Sequence, residues 1–159
     1  MLKNIKKNWG ETYKDFPYEI KPALASDIEK WRDAGYTHDS FVGGLYDNKN
    51  PMPAWVYQLP FNLKNMSFAF YRMDTLNIMP EHTDHFETYC KVFNIDKKDA
   101  RRILVFLEDW KPGHYFEMNS IGYTAWEAGD YAEWDYTVPH AASNIGVEPR
   151  YTLQITGHV

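Results

Sequence analysis

Six histidines occur in the 159 residues, and the chemical question is which of them can converge with a carboxylate. His82-Thr83-Asp84 sets an imidazole and a carboxylate two positions apart, which in extended chain puts both on one side, within reach of a single cation. By itself the pattern says little, because about one His-x-acid pair is expected by chance in a chain of this composition. His85-Phe86-Glu87 is indeed a second copy. The first copy is preferred: a strand-like run at 75–79 leads straight into it and Pro80 can set the turn, whereas the second falls in a segment read as a lid. At the far end of the chain His140 is followed ten positions later by Arg150, with Thr152 two further on. Cys90 is the only cysteine, so no internal disulfide can form, and it reads as a small core hydrophobe.

The elements that must position these residues follow from pattern and turn chemistry. From Ser67 onward, short runs rich in β-branched and aromatic residues at 67–73, 75–79, 101–110, 114–118, 123–129, 130–134 and 150–157 read as successive strands. Lys111-Pro112-Gly113, Asn119-Ser120 and Gly129-Asp130 supply the turns between them. In the last run Tyr151, Leu153 and Ile155 point one way, and Arg150, Thr152, Gln154 and Thr156 the other. A polar strand face of that kind most often faces solvent. Earlier in the chain, residues 22–35 read as a helix. Pro22 suits its first turn, Ser26 and Glu29 form a capping-box pair, and Gly35 is the stop. Breakers crowd the stretch 42–60, which reads as irregular chain with short extended pieces. Segment 86–100 interrupts the strands as a short helix or a loop over one end. The expected architecture is mainly β: a double-stranded β-helix, or jelly roll, with an N-terminal helix packed on one sheet. It would form a single domain over 1–159, with 1–66 as helix and irregular cover and 67–157 as the β core.

The order His82-x-Asp84, His140, Arg150-x-Thr152, with Trp126-Glu127-Ala128-Gly129-Asp130 between them, resembles the motif set of iron(II)- and 2-oxoglutarate-dependent oxygenases of the cupin, or double-stranded β-helix, superfamily. The similarity spans roughly 67–157 and is strongest to prolyl-hydroxylase-like members, although those usually carry Lys where this chain has Arg150. The resemblance implies His82, Asp84 and His140 as ligands of Fe(II). It implies Arg150 as the partner of the distal carboxylate of 2-oxoglutarate, with Thr152 beside it and Tyr71 as a further phenol donor. Two imidazoles and a carboxylate suit Fe(II) and leave three coordination positions open. A guanidinium offers a carboxylate two parallel charge-assisted hydrogen bonds that lysine cannot copy. The implied activity is hydroxylation of a small molecule or an amino-acid or peptidyl substrate, with dioxygen as co-reactant.

Two other readings stand beside it. One is a metal-binding cupin of different chemistry, an isomerase or a cosubstrate-free dioxygenase. The other is a non-catalytic jelly-roll module whose aromatics bind a ligand. Arg150 separates the first reading from these, because only the oxygenase needs a cation deep in the barrel. Composition narrows the field further. The net charge of −5 gives no global positive field for nucleic acid. Hydrophobic residues at 44% and charged residues at 25% describe a folding chain, and aromatics at 17% favour wide β surfaces. No apolar run approaches the roughly 20 residues of a membrane span, and the first ten residues lack a signal-peptide core, so a cytoplasmic protein is expected. There is no Gly-x-Ser-x-Gly elbow, P-loop or dinucleotide fingerprint.

Overall fold

Alternation along the last strand organises the molecule. The computed structural model describes residues 2–159, and in it this strand lies between two long neighbours with one face turned outward and the other inward. In chain order the strands are β1 (Lys3–Asn4), β2 (Glu19–Pro22), β3 (Val42–Asp47), β4 (Lys64–Met73), β5 (Ile78–His82), β6 (Ala100–Phe106), β7 (His114–Met118), β8 (Ile121–Tyr123), β9 (Asp130–Trp134), β10 (His140–Asn144) and β11 (Arg150–His158). Two α-helices join them, α1 (Ala25–Asp33) and α2 (Glu87–Phe93). The larger sheet has the order β1-β9-β6-β11-β4-β3-β2 and the smaller β5-β10-β7-β8, every pairing antiparallel. The chain crosses from one sheet to the other between β4, β5, β6 and β7, and again between β8, β9, β10 and β11. Strands β9-β6-β11-β4 and β5-β10-β7-β8 are thereby paired as in a double-stranded β-helix.

Period-two alternation sorts the side chains of the larger sheet into two sets. Outward go Phe68, Phe70, Ile103, Val105, Tyr151, Leu153 and Ile155, which join one buried cluster with Trp9, Tyr13, Val56 and Leu59 from the first 66 residues. Trp9 stacks on Trp55 at 5.1 Å and Phe16 on Tyr46 at 4.2 Å, so the irregular N-terminal chain roofs that face with aromatics. Inward go Leu104, Phe106, Ala132 and Trp134, which form a second cluster with Phe116 and Trp126. Each large side chain so buried contributes on the order of 1.5–3 kcal/mol.

Several expectations shift once pairing is visible. The stretch 1–66 supplies more than cover, since β1 extends one edge of the larger sheet and β2 and β3 the other. Helix α1 is shorter than 22–35: Pro22 ends β2, the N-cap is Leu24 with no side-chain bond, and Ser26 lies inside the first turn. No capping box forms. Gly35 does stop the helix, with φ +108, a conformation that costs glycine no steric strain. The contacts of α1 run to the end of β5, where the Trp31 indole donates to the Glu81 carbonyl at 3.1 Å. Residues 75–77 form a turn instead of a strand, the Asn77 side chain accepting from the Asp74 amide, so β5 begins at Ile78. The expected strand 123–129 ends at Tyr123. Beyond it the chain leaves the β7–β8 ladder and anchors Trp126 flat on Phe106, 4.1 Å between centroids. Asn119 and Ser120 both take positive φ between β7 and β8, the backbone of a tight two-residue hairpin. Segment 86–100 contains α2, entered through Phe86 at φ 53, and a 3-10 turn Lys97–Asp99. Cys90 is half-buried on α2 and lies outside both core clusters. Among the described residues no helix is long and apolar enough to cross a membrane.

Candidate metal centre and its cavity

Antiparallel pairing brings the histidines together. His82 ends β5, His140 begins β10, and the two are direct Cα partners across that ladder. Their rings lie 4.3 Å apart. Asp84 follows two residues past the end of β5, and its Oδ1 lies 3.4 Å from His140 Nε2 and 4.0 Å from His82 Nε2. The three ligand atoms all fall within 4.8 Å of one another, close enough to hold one cation together.

Each imidazole is oriented by the same local device. His82 Nδ1 donates to the Pro80 carbonyl at 2.8 Å and His140 Nδ1 to the Val138 carbonyl at 3.1 Å, both two residues back. A carbonyl only accepts, so the proton is on Nδ1 in both rings and each Nε2 offers a lone pair to the centre. Burial lowers the His82 pKa and the neighbouring His140 lowers it further, against the Pro80 hydrogen bond and Asp84, which raise it. The ring is kept neutral, as ligation requires.

Asp84 has two different oxygens. Oδ2 accepts from Trp134 Nε1 at 2.8 Å and from Arg102 Nε at 3.1 Å, leaving Oδ1 turned to the histidines. Burial by itself would push this carboxyl up, but the Arg102 guanidinium and the hydrogen bond from Trp134 hold it well below the usual carboxylate range. It is ionised throughout the physiological range. Arg102 is held in turn by Thr156 Oγ1 at 3.0 Å and lies over the Phe86 ring at 5.0 Å. The second His-x-acid copy does not converge here: His85 Nε2 is 3.6 Å from Asp27 and half-exposed, and Glu87 pairs with Lys91 at 3.2 Å.

The polar face of β11 does not meet solvent. Arg150, Thr152, Gln154 and Thr156 line a cavity of about 1060 Å³ that also contains the His82–Asp84–His140 cluster. Arg150 is 8% exposed and makes no ion pair with Glu148, Asp130 or any other described residue; its Nε and Nη1 are buried without a hydrogen-bond partner. Burial pulls its pKa down to about 10, still a full cation at neutral pH. The Thr152 hydroxyl, 1% exposed, is likewise unpaired. Tyr71 lies directly opposite Thr152 in the β4–β11 register and lines the same cavity. With the Gln154 amide oxygen turned to Arg102, its nitrogen donates to the Tyr71 hydroxyl at 3.1 Å, linking β4, β11 and β6.

Arg102 and Trp134 were not singled out from the sequence. Arg102 had a signal: alternation places it on the face of Leu104 and Phe106, a lone charge on an apolar row. Trp134 had none beyond its strand, since its role comes from the indole N–H meeting a carboxylate 50 residues away.

No protein-family model and no curated protein matches this chain. Among solved structures, the cupin domain of Cnp3 from Schizosaccharomyces pombe aligns at 9% identity and TM-score 0.46, over 74% of this chain and 65% of that one. A predicted oxalate decarboxylase from Thermotoga maritima aligns at 13% identity and TM-score 0.46, over 74% and 82%. A cupin domain of a transcriptional regulator from Enterobacter cloacae aligns at 12% identity and TM-score 0.45, over 74% and 97%. The reading of the fold rests on the strand pairing itself.

Proposed function

We propose that this chain is an Fe(II)- and 2-oxoglutarate-dependent dioxygenase. The observation that carries the reading is Arg150, a buried cation with no anion, in the same cavity as two imidazoles and a carboxylate. An uncompensated buried charge costs several kcal/mol, which a bound carboxylate would offset. Two Nε2 ligand atoms and one carboxylate oxygen suit Fe(II), and the set lacks the thiolates of a structural zinc site. When bound, Fe(II) with 2-oxoglutarate and dioxygen supplies oxidative hydroxylation, one oxygen atom entering the substrate as hydroxyl and the other entering succinate as carbon dioxide is released.

The chain's own residues have separable tasks. His82, Asp84 and His140 hold the metal, and Arg102 and Trp134 fix which Asp84 oxygen faces it. Arg150 receives the far carboxylate of the cosubstrate, the Thr152 hydroxyl adds a hydrogen bond, and Tyr71 stands across the ladder from Thr152. The cavity is larger than the cosubstrate needs, which leaves room for a substrate, and residues of α1 and α2 are part of its lining. A metal-binding cupin of other chemistry would use the same three ligands but has no task for Arg150. The test is Arg150→Ala. The oxygenase reading expects 2-oxoglutarate affinity to fall by roughly 10–100-fold while metal content stays near wild type. Loss of both together would make Arg150 a structural residue.

A further inference from the structure

Seven formally charged side chains line the cavity, and most are already matched. Arg102 pairs with Asp84, Arg72 with Asp74 at 2.8 Å, Lys21 with Glu19 at 3.4 Å, and Glu87 with Lys91 at 3.2 Å. Two remain. One is Arg150, assigned above. The other is Asp27 on α1, whose side chain is 7% exposed and accepts no hydrogen bond. Its nearest basic side chain is the half-exposed ring of His85, whose Nε2 stands 3.6 Å away, beyond hydrogen-bond range. The Asp27 oxygens are not sealed from the cavity that the residue lines, so a donor entering that cavity can reach them.

The surroundings of Asp27 define what that donor is. Trp31 lies four residues on, on the same face of α1, and its indole N–H is fixed on the Glu81 carbonyl. The Trp31 ring stands 5.8 Å from the His82 ring, so the carboxylate and the aromatic flank the metal centre on its α1 side. Leu24 and Val92, both largely exposed, line the same cavity and offer apolar surface to an alkyl stem. A buried acid beside an indole, with aliphatic surface in the same cavity, matches an ammonium or guanidinium group on a short apolar chain.

Resting on the reading of this cavity as the substrate chamber of an oxygenase, we infer that Asp27 and Trp31 form a cation subsite, and that the substrate carries a positively charged amino or guanidino group. Asp27 then selects the substrate by charge on the α1 side of the cavity, as Arg150 selects the cosubstrate within it.

The experiment uses the full chain loaded with Zn(II), so that no turnover occurs. Nα-acetyl-arginine amide and Nα-acetyl-lysine amide are titrated by calorimetry, with the neutral isosteres Nα-acetyl-citrulline amide and Nα-acetyl-norleucine amide alongside. The expected result is that wild type prefers each cation over its isostere by roughly tenfold or more, and that Asp27→Asn removes the preference while binding Zn(II) and 2-oxoglutarate as before. Equal binding of charged and neutral probes by wild type, or no binding of either cation at millimolar concentration, overturns the inference. So does an Asp27→Asn protein that keeps the preference. The wild-type comparison decides the matter even if the variant fails to fold. Failure of 2-oxoglutarate to bind wild type would instead strike the oxygenase reading, and that titration is scored separately.

Discussion

His82 and His140 are Cα partners across the β5–β10 ladder, and each donates its Nδ1 proton to the carbonyl two residues before it. The repetition of one device on two strands aims both Nε2 atoms at the space beside Asp84 Oδ1. A metal centre built this way tolerates loss of nearby imidazoles but not of these two. His82→Ala, Asp84→Ala and His140→Ala should each abolish stoichiometric retention of Fe(II) or Zn(II), whereas His85→Ala should leave it intact. Metal analysis after desalting checks this, and retention by His82→Ala with loss in His85→Ala would transfer the site to the second copy.

Arg102 acts on the metal through Asp84. Its removal frees Asp84 Oδ2 to swing and strips the carboxylate of its cation. Arg102→Met should weaken metal affinity by about 10–100-fold, the usual scale for a group that orients a ligand, and Trp134→Phe by less. Competitive chelator titration reads both.

Stability at acid pH should depend on a carboxylate remote from the cavity. Glu108 accepts from Tyr13 Oη at 2.8 Å and from Lys111 Nζ at 2.7 Å, and lies 3.0 Å from Lys14 Nζ. Burial pushes its pKa up, but the hydrogen bonds from Lys111, Tyr13 and Lys14 outweigh that and hold it below the ordinary carboxylate value. A depressed native pKa means that the contribution is complete above the unfolded value, near 4.3, and fades as pH falls through the native one. Glu108→Gln should therefore cost about 1–3 kcal/mol at pH 7 and progressively less at more acidic pH. Urea unfolding at several pH values measures the convergence, and a constant difference would contradict it.

The outward and inward faces of the larger sheet should separate stability from binding. Phe70 is fully buried on the outward face, where Phe16 and Trp55 meet it edge-on at 5.1 and 5.7 Å. Phe70→Ala should lower stability by about 3–5 kcal/mol while 2-oxoglutarate affinity of the folded fraction is unchanged. Denaturant unfolding and ligand titration of the same protein test the two halves.

The β11 alternation was legible from residue types alone, and it carried the furthest: the face holding Arg150 and Thr152 is the cavity wall. Strands β4, β6, β7, β9 and β11 were visible as β-branched or aromatic runs because local pattern and tertiary role agree there. Strand β10 was not, because His140-Ala141-Ala142-Ser143-Asn144 has poor strand character and owes its conformation to neighbours on both sides. The N-terminal strands were hidden for a related reason. Gly43 and Gly44 look like breakers, yet the Gly44 backbone packs against Tyr18 and Arg72 inside a ladder. The candidate ligand set came from the resemblance of the motif order and not from spacing alone, whereas Arg102, Trp134 and Asp27 reach the cavity from elements whose juxtaposition only folding creates.

The central claim is that Arg150 and the three ligands act on one cosubstrate. Anaerobic addition of 2-oxoglutarate to the Fe(II)-loaded protein tests it most directly. The account predicts a weak visible charge-transfer band that saturates with one equivalent of 2-oxoglutarate and is shifted to much higher concentration by Arg150→Ala. No band at saturating Fe(II) and 2-oxoglutarate, or an identical titration for the Arg150→Ala protein, would contradict it.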